Sequence, residues 1–173
     1  MSWSSIDSVL FALDKIIFVA YFALLVLAML FQRKVSSFVI TLIVLTVANG
    51  AMTSLSPILY QYATQPELFA KFTWYASFAV IDVLALFLLY KFHQLLNQNV
   101  CFIANLVGIF FVTFATLQTL RFVDRFVFNT EFFQQFYQHA IPALNIVLVP
   151  IIIISWVFEL KLGQRFMKAG STL

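Results

Sequence analysis

Between Lys71 and Lys91 the chain carries a single charge, Asp82. It stands 11 residues after the first lysine and 9 before the second. In a helix rising about 1.5 Å per residue, that places it near the middle of a membrane-length apolar run. A carboxyl at bilayer mid-depth costs about 2.5–3.5 kcal/mol on insertion scales, so it is expected to face protein rather than lipid. Such a group either exchanges a proton and couples that exchange to another movement, or stays neutral and hydrogen-bonds a neighbouring helix. No second carboxyl stands at matching depth in the sequence, which slightly favours the structural role.

Depth also selects candidate partners for Asp82. Asn49 lies near the middle of the preceding apolar run, and Thr113 and Thr116 lie near the middle of the following one. Pro150, in the last run, has no N–H for the carbonyl of Ile146 and leaves an acceptor free at an expected kink. Together these residues would form a polar cluster at mid-depth. Thr46, Gly50 and Ser54 recur at four-residue spacing. Such a stripe of small residues lets two helices approach closely in lipid, so helix packing is its expected role. Arg121, Asp124 and Arg125 gather where the fourth run ends, with Arg121 and Asp124 spaced to pair on one helical face. They read first as an interfacial charge cluster against lipid headgroups, and second as an anion or partner site.

Other chemistries lack their residues. Cys101 is the single cysteine, so an internal disulfide, a CxxC redox pair and a thiolate metal cluster are excluded. The two histidines, His93 and His139, fall near opposite membrane surfaces and cannot share a metal ion. Zincin, nucleophile-elbow, phosphate-loop and dinucleotide fingerprints are absent, and no Ser/His/Asp grouping is expected at workable depths. An enzyme would need a second titratable group near Asp82, or an interfacial pair such as His139 with Glu131 or Asp124. Neither a metal nor a cofactor is expected, and the chain leans away from catalysis.

The elements that position these residues follow from composition. Of 173 residues 63% are apolar and 10% charged, and 22 are Phe. A soluble chain of this size could not cover so much apolar surface. A hydrocarbon core about 30 Å thick needs about 20 apolar residues per helix. The expected fold is therefore an all-α integral membrane protein, a single domain of about five transmembrane helices joined by short loops. The spans are predicted at about 9–31, 35–60, 72–90, 100–120 and 141–158. Residues 122–138 alternate aromatic and polar groups and read as an interfacial segment, capped by Asn129 or Thr130 if helical. Ser4 and Asp7 resemble a capping box that starts the first helix early. Trp3, Trp74, Tyr75 and Tyr90 suit interfacial belts.

The ten Lys and Arg residues are dispersed, which argues against nucleic acid and makes them topology markers. Arg33, Lys34, Lys91, Lys161, Arg165 and Lys168 fall on one side, and Lys15, Lys71, Arg121 and Arg125 on the other. The denser set is expected in the cytoplasm, with the N-terminus outside, in a bacterial inner membrane. Lys161, Arg165 and Lys168 would meet anionic lipid. The start of the chain carries Asp7 and Asp14 instead of early positive charge, so the first hydrophobic stretch is expected to be retained.

The sequence thus favours a non-catalytic membrane subunit acting through helix packing with a membrane-protein partner or a second copy in the bilayer. Next comes a small proton-coupled transporter or channel-like protein using Asp82, and last a membrane enzyme.

Overall fold

The computed structural model describes the backbone of residues 3–32 and 35–170, and the side chains of residues 12–32 and 35–158. The expectations for Trp3, Ser4, Asp7, Arg33, Lys34, Lys161, Arg165 and Lys168 rest on side chains outside that set. Five α-helices account for the described fold: α1 Trp3–Gln32, α2 Ser37–Ala63, α3 Leu68–Leu95, α4 Phe102–Phe126 and α5 Gln134–Gly170. All five are long and apolar enough to cross a membrane. The shortest, α4 with 25 residues, extends about 37 Å at 1.5 Å per residue, enough for the hydrocarbon core. Helices are the natural outcome here, because a backbone in lipid must satisfy its own hydrogen bonds.

The helix ends show how local sequence sets the boundaries. Ser36 caps α2, its hydroxyl accepting from the N–H of Val39 at 3.3 Å and donating to Gln32 Oε1 at 2.6 Å. At the end of α3, Asn97 takes a left-handed φ of 49°. Asn is among the few residues that adopt this conformation readily. The N–H of Gln98 then reaches back to the carbonyl of His93 at 2.9 Å, and that of Asn97 to Gln94 at 3.3 Å, a Schellman closure of the helix.

Two spans run further than charge and proline placement suggests. α4 passes Arg121 and ends at Phe126, because Arg121 and Asp124 neutralise each other within the helix at 2.9 Å. α5 starts at Gln134 and continues through both Pro142 and Pro150, each removing one backbone bond without ending the helix. Residues 122–138, expected as a separate interfacial segment, are shared between the end of α4, a connection and the start of α5. Neither Asn129 nor Thr130 caps a helix of its own. Asn129 has φ 57°, and the N–H of Thr130 donates to the carbonyl of Asp124 at 2.9 Å.

Each helix packs on its neighbour in sequence, α5 closes back on α1, and α2 also meets α4. The bundle divides along its axis. Its dry half is built from Ile17–Ala28 of α1, Phe38–Ala48 of α2, Ala85 and Leu89 of α3, Ile103–Phe111 of α4, and Leu148 and Ile152 of α5. The other half holds the polar interior. Gly50 marks the α1–α2 approach, where a Cβ would stand 2.8 Å from Phe18 Cε2. Gly108 plays the same part between α4 and α3, 2.9 Å from the Tyr90 hydroxyl.

Candidate functional site

The half of the bundle away from the dry core encloses a cavity of about 230 Å³ to which all five helices contribute. Its position follows from antiparallel threading. The stretch from start to middle of α1, α3 and α5 lies beside the stretch from middle to end of α2 and α4, so Asp14, Phe78, Asp82, Tyr137 and Pro142 share the cavity with Asn49, Ser56, Phe114 and Gln118. Asp82, in the middle of α3, is 1% exposed and lines this cavity. Asp14, two residues into the span that begins at Ala12, lines it as well. The cavity thus extends from the end of the bundle towards mid-depth and carries a carboxyl at each level.

Its lining is rich in aromatic rings and amide side chains. Tyr60, Trp74 and Phe78 form a ladder of edge-to-face rings, with centroids 6.1 Å apart for the first pair and 4.8 Å for the second. The Tyr137 hydroxyl donates to Gln118 Oε1 at 2.7 Å. This bond ties α5 to α4 at the cavity wall, and the Tyr137 ring meets that of Tyr75 on α3 edge-on, with centroids 6.1 Å apart. Among the described residues six buried polar atoms have no partner, and three of them line the cavity: Asn49 Oδ1, Thr53 Oγ1 and Asp82 Oδ1. Buried polar atoms are almost always satisfied, so an orphaned set lining one cavity marks where something else must supply hydrogen bonds. Among the described residues no Lys, Arg or His lines it.

Of the cluster expected around Asp82, the fold brings Asn49 to the same cavity. Thr113 and Thr116 lie away from it, their hydroxyls spent on the carbonyls of Ile109 and Val112 at 2.8 Å each. A helical hydroxyl without a better partner commonly bonds back in this way. Pro150 is not part of the cavity. Pro142 lines it, and its missing N–H leaves the carbonyl of Gln138, also at the cavity, without a helical donor. In the small-residue stripe, Thr46 is buried and Gly50 lies against Phe18, while Ser54 is exposed.

The charge cluster resolves into a buried clamp and a free end. Asp124 Oδ2 accepts from Arg121 Nη1 at 2.9 Å and from the N–H of Phe133 at 3.1 Å, and Oδ1 accepts from the Thr130 hydroxyl. Arg121 Nη2 also donates to Gln134 Oε1 at 3.2 Å. These bonds fold the α4–α5 connection onto the end of α4. Arg125 is exposed, its guanidinium carbon 5.4 Å from the Phe126 ring centre. His139 is exposed on α5, and Asp124 is committed to the clamp.

The sequence reading missed two groupings. One is Asp14 beside the Asp82 cavity, hidden because Asp14 sits near the start of the apolar span of α1 and Asp82 in the middle of its own. The other is Ser37 with His93, 56 residues apart and joined at 2.7 Å through Nε2. His93 Nδ1 lies 2.7 Å from the Leu89 carbonyl, which can only accept, so Nδ1 carries the proton and Nε2 accepts from Ser37. The Ser37 oxygen then accepts the N–H of Cys101 at 3.0 Å. Both side chains are buried in the dry half, so the arrangement staples α2 to α3 and the start of α4. Comparison with protein-family models, curated proteins and solved structures finds no match to this chain.

Proposed function

We propose that this multi-pass protein is a small proton-coupled carrier of the bacterial inner membrane. The cavity is its working site and Asp82 is the group that exchanges the proton. The observation that supports this best is a mid-depth carboxyl lining a cavity shared by all five helices. Ionisable residues inside a membrane are costly and commonly mark transport paths or proton relays. Ligand sites in bundles form between facing helices. The titratable groups at the cavity are Asp14 of α1, Tyr60 of α2, Asp82 of α3 and Tyr137 of α5. The oriented chain has its N-terminus outside and its C-terminus in the cytoplasm, which places the cavity in the outer half.

Infrared difference spectra of the protein in liposomes, taken between acid and alkaline buffer, test this reading. A titrating carboxylic-acid band that disappears in Asp82→Asn is expected. A spectrum unchanged by that substitution removes Asp82 as the exchanging group and the carrier reading with it.

The subunit reading keeps one specific observation. Of the five spans, α5 buries the smallest share of its side chains, with Ile146, Val147, Ile153, Ile154 and Phe158 exposed. Mild-detergent extraction from the native host that recovers a stoichiometric second membrane protein would favour it.

A further inference from the structure

We propose that the cavity takes a small organic amine in its cationic form, a one-ring or compact aliphatic ammonium, with Asp82 as counter-charge. This deepens the carrier reading and rests on the same cavity. Four observations converge on that class.

The first is charge. Two carboxyls line the cavity, and among the described residues no cationic side chain does. The second is hydrogen bonding. The unpartnered atoms lining it are oxygens: Asp82 Oδ1 and Asn49 Oδ1 on residues at least nine-tenths buried, and Thr53 Oγ1 beside them on α2. A carboxylate and an amide oxygen can only accept, and a hydroxyl accepts as readily as it donates. A primary ammonium brings three donors on a compact head, which is the complement of that set.

The third is the aromatic wall. Tyr60, Trp74 and Phe78 form one connected series of rings, and aromatic faces attract organic cations, Trp most strongly. A bare metal ion has less use for such a wall, since it needs several oxygens at close range. The fourth is size. A cavity of roughly 150 Å³ accommodates benzene, so about 230 Å³ has room for a single ring with a short aminoalkyl arm. The depth also suits it, with Asp14 placed to meet the cation at the entrance and Asp82 to hold it further in.

The test uses the full chain in nanodiscs, with Trp74 as the optical reporter of the cavity and benzylamine, benzyl alcohol and sodium chloride as probes. Benzylamine is expected to change the fluorescence saturably, and Trp74→Phe to abolish the change. Asp82→Asn is expected to weaken binding about tenfold or more, since losing one partner of a buried charge pair is costly. Benzyl alcohol, of matching size and without charge, is expected to give no saturable change. If Asp82→Asn does not survive extraction, Asn49→Leu takes its place and is expected to weaken benzylamine about tenfold or more, the loss of one hydrogen bond to a charged group.

Equal binding of the alcohol and the amine, indifferent to Asp82→Asn, overturns the amine class and leaves a cavity that binds neutral molecules. Displacement of benzylamine by sodium at equal concentration also overturns it, in favour of an inorganic cation. If no probe binds while the infrared band of Asp82 still titrates, the amine proposal fails and the carrier reading survives. If neither signal is present, both fail.

Discussion

Ser37 and His93 show how far a pair of polar side chains can govern a bundle in lipid. Lipid tails are as apolar as a Leu side chain, so interhelical hydrogen bonds and close packing carry much of the association. The Ser37 hydroxyl links His93 on α3 to the N–H of Cys101 at the start of α4. Ser37→Ala leaves His93 Nε2 and the N–H of Cys101 without the partner each has here. It should lower stability by about 1–3 kcal/mol, read as a fall in the thermal midpoint in detergent. Ligand binding at the cavity, in the other half of the bundle, should hold its affinity below that midpoint. A Ser37→Ala protein that melts with wild type would show that the staple is not a stability element.

At the scale of elements, glycine sets which helices meet closely. Gly50 has Phe18 against it, but the nearest atom is the edge of a half-buried ring that can swing. Gly50→Ala gains about 1 kcal/mol of helix propensity while displacing that ring. The net change in stability should therefore stay within about 1 kcal/mol. Gly50→Leu asks for far more room and should separate α1 from α2. Disulfide crosslinking between cysteines placed at Tyr21 and Leu45, in a Cys101→Ser background, reads out the packing of those helices. Equal crosslinking in Gly50→Leu and wild type would mean that the approach does not depend on this glycine. The stripe Thr46, Gly50, Ser54 looks uniform in sequence, yet Ser54 is exposed, so the close contact is local to its middle.

For the whole molecule, the division into a dry half and a polar half makes orientation consequential, since it decides which side of the membrane the cavity serves. Gln98 and Glu131 are exposed and lie in connections at opposite ends of the bundle. With Cys101 replaced by Ser, Glu131→Cys should react with a membrane-impermeant maleimide in intact cells. Gln98→Cys should react only after permeabilisation. The reverse pattern would invert the orientation and move the cavity to the cytoplasmic half.

Much of this architecture could be read along the chain, because the bilayer imposes one strong requirement, about 20 apolar residues per crossing. Five such runs, separated by charged or turn-forming residues, specify five helices. Depth alone was enough to single out Asp82 and Asn49. Depth does not contain rotation, however, and rotation decides which side chains share an interior. Thr113 and Thr116 stand at a suitable level, yet their hydroxyls bond back to their own helix. Asp14 stands at a different level from Asp82, yet both line one cavity, because the space between the helices runs along the axis rather than across it. Charge clusters are ambiguous for the same reason. Arg121 and Asp124 have the composition of an exposed helix end but become a buried clamp once the α4–α5 connection folds over them. Linear hydropathy therefore determined the count of the crossings and their approximate placement. The azimuth of each helix, set by side-chain packing between segments distant in sequence, determined the cavity.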